Sequence, residues 1–253
     1  MQGYHRGTLS TPRLAVIVPA YNEESRLPKT LERLQEYLSA QPYSWTVVVV
    51  SDGSKDTTVD VVTRFGQQWT NFSVIDSQPN RGKGYAVRRG MLDVDAEYLL
   101  LSDADLAAPI EEIEKLWPSM HEETAVAIGS RPLKDSRLEI RQPWYREMAG
   151  RTFNKVVQLL AIRGIQDTQC GFKLFTRKSA REIFSRCEMD GFSYDFEALM
   201  IARDLNFPIH EVPIRWAHQE GSKVNLVRDG MRMLVDLIRL RMKGPARRMA
   251  IKP

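Results

Sequence analysis

Five short apolar runs constrain what this chain can fold into. Leu14–Val18, Val47–Val50, Phe72–Ile75, Tyr98–Ser102 and Ala125–Ile128 are each closed by polar or turn-forming residues. Helical-period stretches lie between them, as at Leu27, Leu31, Leu34 and Leu38. Apolar, β-branched runs of this length suit strands buried on both faces. Their alternation with helices predicts an α/β fold, a Rossmann-like and mostly parallel sheet flanked by helices, with right-handed crossovers. Helices are expected over about Asp56–Gln68, from the Asn80–Gly84 turn through Met91, and over Pro109–Met120.

After residue 130 the pattern changes. Pro132–Pro143 is polar and reads as a loop, and Tyr145–Ile162 as an amphipathic helix. Asp167–Phe175 reads as loop then strand, Lys178–Cys187 and Asp195–Leu205 as helices, and Ile209–Trp216 as one strand. The last helix is expected over Leu226–Met242, with Met231, Leu234, Val235 and Ile238 at helical spacing among Arg228, Arg232, Arg239 and Arg241. Such a helix packs on a core or lies at a membrane interface. Residues 1–12 read as a flexible leader, 13–225 as the main domain and 226–253 as a basic amphipathic helix and tail.

Charge sharpens that division. The net charge is +4, yet residues 226–253 hold eight Lys/Arg against two Asp/Glu. A near-neutral body with a basic end points to an anionic surface. No aromatic residue follows Trp216, so the basic end offers single-stranded nucleic acid no stacking platform. Two cysteines and four histidines make neither a disulfide framework nor a zinc site, and a reducing compartment is expected. No run approaches the ~18 apolar residues of a membrane span.

The strand ends carry the chemistry. Pro19-Ala-Tyr21-Asn-Glu23 follows the first run, Asp52-Gly-Ser the second, and Asp103-Ala-Asp105 the fourth. Open α/β sheets bind ligands at this edge. Residues i and i+2 of an extended chain point to one side, so Asp103 and Asp105 can share a hard cation, Mg²⁺ or Mn²⁺. Taken singly, each cluster is equally a capped helix start, and Asp-x-Asp a polar turn before Pro109. Together they point to a nucleotide pocket, in which Tyr21 can stack on a base and Asp52 accept from a base N–H. Asn80-Arg-Gly-Lys83-Gly is a basic turn opening a helix, suited to phosphate. No G-x-G-x-x-G follows the first strand, which disfavours a dinucleotide oxidoreductase.

In order, Val18-Pro-Ala-Tyr-Asn-Glu23, Ser51-Asp-Gly-Ser54, Asn80–Gly84, Ser102-Asp-Ala-Asp-Leu106 and Asp167-Thr-Gln-Cys-Gly-Phe-Lys173 resemble family 2 glycosyltransferases of the GT-A fold. The resemblance covers about residues 13–225 and is strongest to the dolichyl/polyprenyl-phosphate sugar synthase branch. Within that branch, Asp167–Lys173 and Trp216–Val224 are most similar to the dolichyl-phosphate β-glucosyltransferases. It implies a nucleoside pocket at Pro19, Tyr21, Glu23 and Asp52, and diphosphate contacts from Lys83, Asp103 and Lys223. It implies a metal at Asp103 and Asp105, a catalytic-site role for Asp167, and an acceptor-phosphate site at Arg131 and Arg146. Position 107 departs from the pattern: mannosyl members often carry a metal-binding Gln there, and this chain has Ala107.

The reaction so implied is inverting transfer of a hexose, glucose favoured, from a nucleotide diphosphate sugar to a polyprenyl or dolichyl phosphate. UDP-glucose is the expected donor, with GDP-mannose the alternative. It further implies peripheral association with the cytoplasmic face of a membrane, with or without a separate anchoring subunit. The other readings are a soluble acceptor on the same fold, and a nucleotide-sugar-binding membrane adaptor without turnover.

Overall fold

The structure, a computed structural model, describes residues 11–140, 148, 152, 155–158, 162–219 and 226–248. Strands β1 (Leu14–Ala20), β2 (Trp45–Ser51), β3 (Phe72–Asp76) and β4 (Tyr98–Ser102) alternate with helices α1 (Leu27–Ser39), α2 (Thr58–Gln68) and α3 (Lys83–Asp93). β5 (Val126–Ser130), β7 (Phe172–Thr176) and β8 (Ile209–Pro213) complete a seven-stranded sheet of order β3-β2-β1-β4-β7-β5-β8. The chain steps outward from β1 to β3, then returns to the other side of β1 as β4. The strand order therefore reverses between β1 and β4, where such sheets open a ligand crevice.

The sheet sits between two apolar layers. Along β1, Ala15 and Ile17 face one cluster, while Leu14, Val16 and Val18 face the other, as period-2 side chains must. The second layer holds Leu27, Leu31, Leu34 and Leu38 of α1, all fully buried. Each buried leucine stabilises the fold by roughly 1.5–3 kcal/mol. The first layer holds α3, α5 (Arg177–Phe184), α6 (Tyr194–Asp204) and, through Met233, Leu237 and Leu240, α7 (Leu226–Arg248). α7 breaks at Gly244, whose φ is +69°, just before Pro245.

Four features depart from expectation. β7 is inserted antiparallel between β4 and β5, so β4 and β5 are not neighbours. Pro132–Pro143 is not wholly a loop: Arg137–Ile140 forms β6, which pairs with β9 (Arg215–Ala217) in a small second sheet. Ile209–Trp216 is accordingly two strands, because the chain leaves the main sheet at Pro213 to join β6. Pro109–Met120 is two 3₁₀ turns around one α-turn, α4 (Ile113–Leu116). Pro118 lacks an N–H and so cannot donate the helical hydrogen bond at its position. The Tyr145–Ile162 helix falls mostly outside the described residues, as do residues 1–10 of the leader.

Candidate active site

The β1–α1 and β2–α2 loops are fastened to one another. The Asn22 N–H donates to Ser54 Oγ at 3.1 Å, the Glu23 N–H to Thr58 Oγ1 at 2.8 Å, and the Lys55 N–H to Asn22 Oδ1 at 2.8 Å. Asn22 accepts a φ of +53° there, a conformation Asn tolerates better than most residues. The Glu23 carboxylate receives Arg26 in a fork, Nε at 2.7 Å and Nη2 at 2.8 Å. Arg26 was not singled out from sequence. Its spacing, three residues after Glu23 on an incoming helix, was the available signal.

Asp52 is buried and works inward. One oxygen accepts from the Arg81 N–H at 2.9 Å, the other from the Gly82 N–H at 2.7 Å and Asn80 Nδ2 at 2.8 Å. It therefore shapes the basic turn that opens α3. Gly82 sits at φ +124° with Asp190 O against it, and a Cβ on Gly53, at φ +67°, would strike the Asn80 backbone. Only glycine meets both demands cheaply.

Asp103 and Asp105 do not lie on extended backbone. β4 ends at Ser102, and the pair lies in a turn closed by Leu106 N–H to Asp103 O at 3.1 Å, with Leu106 at φ +46°. Asp105 Oδ1 accepts from the Ala107 N–H at 3.1 Å, and Thr30 of α1 donates to Ala104 O at 2.6 Å. Both carboxylates still border one cleft. Lys83 Nζ reaches Asp103 Oδ1 at 2.6 Å. Burial opposes the charge of Lys83, but Asp103 and Asp195 outweigh it and raise its pKa. Burial, then the neighbouring Asp103, raises Asp105.

The antiparallel β7 explains how a distant motif reaches this edge. Its first residue, Phe172, pairs with Ser102 of β4, so the preceding Asp167–Gly171 loop lands beside Asp103. A Cβ on Gly171 would sit 2.5 Å or less from Cγ, Oδ1 and Oδ2 of Asp103. Behind the loop, Lys173 is almost wholly buried, pairs with Asp195, and donates to Cys170 O at 2.6 Å. Gly171→Ala is thus expected to push the Asp103 carboxylate aside and lower kcat by about a hundred-fold. Steady-state kinetics beside a melting curve check this: a fall in kcat without a matching fall in Tm is the expected pattern.

The cleft spans about 880 Å³, inside the roughly 300–1,000 Å³ of small-ligand pockets. Pro19, Tyr21, Glu23, Asp52, Lys83, Asp103 and Asp105 all border it. Arg228 and Arg232 of α7 border it as well, and no local pattern pointed to them. Arg131 and Asp167 stand apart from that lining. Asp167 has no exposed surface and holds Arg131 by Nε at 2.6 Å, Nη2 at 2.9 Å and the backbone N–H at 3.1 Å. It faces Arg131, and neither residue is among those that border the cleft. Arg146 and Lys223 lie outside the described residues.

The donor set fits a hard divalent cation. Asp103 and Asp105 offer oxygen atoms at the cleft, and burial beside a second carboxylate makes the Asp105 charge costly until a cation compensates it. Among the described residues no cluster of three or more His, Cys, Asp or Glu is placed to hold a metal, so a cation at Asp103 and Asp105 would draw further oxygens from a bound ligand or water. Ala107 adds only its backbone: its N–H goes to Asp105 and its C=O to the Ala217 N–H at 2.8 Å.

Comparison with known proteins converges on one family. The profile described as Glycosyl transferase family 2 matches residues 15–184. A dolichyl-phosphate beta-glucosyltransferase of Dictyostelium discoideum is 37% identical over 242 residues, 91% of this chain and 74% of that protein. A human protein of the same description is 35% identical over 249 residues, 92% of this chain and 76% of that one. Among solved structures, glucosyl-3-phosphoglycerate synthase from Mycobacterium tuberculosis in complex with Mn²⁺, UDP and glucosyl-3-phosphoglycerate matches with a TM-score of 0.69. It is 15% identical, with 91% of this chain and 80% of that one covered, and so shares the fold. The family match extends over more than half of the chain, and with relatives this similar the chain belongs to glycosyl transferase family 2 and is a glycosyltransferase.

Proposed function

We infer that the chain transfers glucose from UDP-glucose to dolichyl phosphate with inversion at the anomeric carbon. The observation that carries this reading is the similarity to dolichyl-phosphate beta-glucosyltransferases over nine-tenths of the chain. The cleft supplies parts to match. Tyr21 and Pro19 present a surface for the base, and the turn shaped by Asp52 sets the start of α3 toward the diphosphate. Lys83, kept charged beside Asp103, offsets phosphate charge. Asp103 and Asp105 would hold Mg²⁺ or Mn²⁺, which neutralises the departing diphosphate when bound.

The acceptor needs placement more than deprotonation, because a phosphate monoester is already anionic near neutral pH. Its oxygen forms the new bond to the anomeric carbon as the bond to UDP breaks, and UDP departs with the electron pair. Asp167 occupies Nε and Nη2 of Arg131, which leaves the Nη1 edge for an acceptor phosphate. Arg146 is the second candidate for that anion. The same reading places the reaction at the cytoplasmic face of a membrane. Cys170 and Cys187 are free and buried. Among the described residues no helix is long and apolar enough to cross a membrane.

The test offers UDP-glucose, GDP-mannose and UDP-N-acetylglucosamine separately, each with a short polyprenyl phosphate and Mg²⁺ or Mn²⁺. Glucosyl lipid from UDP-glucose alone is the expected result. A mannosyl lipid would reassign the donor. Donor hydrolysis without any lipid product would move the acceptor to a soluble molecule.

A further inference from the structure

Helix α7 turns apolar side chains in two opposite directions. Met233, Leu237 and Leu240 are buried in the core. Met231, Val235, Ile238 and Met242 are exposed, at 59, 43, 47 and 82%. At ~100° per residue, their spacing of four, three and four places all of them within an arc of roughly 60°. The buried set lies on the other side of the helix. Elsewhere among the described residues only Trp69 and Met148 are large, apolar and exposed. Single exposed apolar residues are ordinary, but a row of them along three helical turns marks an interaction face.

Charge says what that face fits. On the helical wheel Arg228, Arg232 and Arg239 flank the ridge on one side and Arg241 on the other. The acids of α7 are Asp229 and Asp236. Asp229 is buried, and both border the cleft. Arg228 reaches Asp229 at 3.1 Å and Arg239 reaches Asp236 at 3.7 Å, so both acids stand on the cleft side of the arginines, and the apolar ridge, with Arg232 and Arg241 beside it, carries no carboxylate of α7. A second copy of the chain would set these arginines against their own equivalents in a two-fold contact. An anionic bilayer satisfies both halves of the surface, apolar side chains below the headgroups and arginines among them.

We propose that the outward face of α7 docks on an anionic bilayer, with Met231, Val235, Ile238 and Met242 inserted and the arginines at headgroup level. Arg228 and Arg232 border the cleft from the same helix. Docking thus brings the cleft rim to the depth at which a lipid-borne phosphate sits. That consequence rests on the lipid-acceptor reading; the docking surface itself does not.

The test is flotation of the purified protein with phosphatidylcholine vesicles, with and without phosphatidylserine. The wild type is expected to float with the serine-containing vesicles, and less so as salt is raised. Met231→Ser/Val235→Ser/Ile238→Ser/Met242→Ser is expected to lower partitioning at least about a hundred-fold. Transfer to a short, water-soluble polyprenyl phosphate stays close to wild type in this variant, while transfer to dolichyl phosphate in vesicles falls with the binding. Arg239→Gln/Arg241→Gln removes charge alone and is expected to weaken only the phosphatidylserine-dependent part. Unchanged flotation of the quadruple variant overturns the proposal. So does a wild-type dimer that the quadruple variant dissolves while its vesicle binding persists. Loss of flotation in the variant upholds the docking face even if no lipid acceptor is glycosylated, and that failure would count against the transfer reading alone.

Discussion

Asp105→Asn is expected to lower transfer at least about a thousand-fold while leaving the fold intact. The substitution keeps the shape and keeps an oxygen to accept the Ala107 N–H, so the turn after β4 survives. What is lost is one negative charge at the cleft proposed above to gather a polyanion and a cation. Burial and Asp103 already raise the pKa of Asp105. A carboxyl raised in this way is held ionised at some cost to stability at neutral pH, and the neutral amide removes that cost. Tm at neutral pH should therefore stay level or rise. The decisive measurement pairs kcat with the Tm shift caused by UDP and Mn²⁺. Wild type should be stabilised by the pair together, and the variant should keep its basal Tm without that gain. Undiminished turnover in the variant would remove Asp105 from the site.

Much of this site was legible in the sequence because the α/β fold puts chemistry where strands end. Pro19–Glu23, Asp52 and the Asp103/Asp105 pair each follow an apolar run, and the topology gathers them at one edge. The reasons were less legible than the positions. Asp103 and Asp105 share a cleft through a tight turn and not through strand alternation. Asp52 faces the cleft, yet its hydrogen bonds run inward to the α3 turn. Direction was hidden too: Phe-Lys-Leu-Phe-Thr reads as a strand, but nothing local says that it enters antiparallel between β4 and β5. That insertion sets Gly171 on Asp103, and it buries Lys173 with Asp195. Arg228 and Arg232 were visible as charges on a helix. Their place at the cleft depends on packing between segments more than a hundred residues apart.

Asp167→Asn is the second large effect, and it falls on stability. Asp167 has no exposed surface, and the Arg131 side chain is only 26% exposed. Removing one partner of such a pair leaves a poorly solvated charge, at a cost of about 3–5 kcal/mol. The exposed edge of Arg131 places the expectation near the lower figure, or a Tm drop of roughly 6–12 °C at this chain length. Burial opposes ionisation of Asp167, but Arg131 outweighs it and holds the carboxyl below the usual range. The depressed value fixes the sign of the pH effect. The pair's contribution is fully present above the unfolded carboxyl value near 4 and fades as pH falls through the folded one. The gap between wild type and variant in urea should thus be constant from neutral pH to about pH 5 and narrow below pH 4. Arg131→Met/Asp167→Leu fills the same space with apolar groups and should recover part of the stability, less the cost of the backbone N–H groups of residues 131 and 169 that lose their Asp167 acceptor. If Arg131 also holds the acceptor phosphate, the double variant folds and still fails to transfer. A pair that served structure alone would give back both stability and turnover.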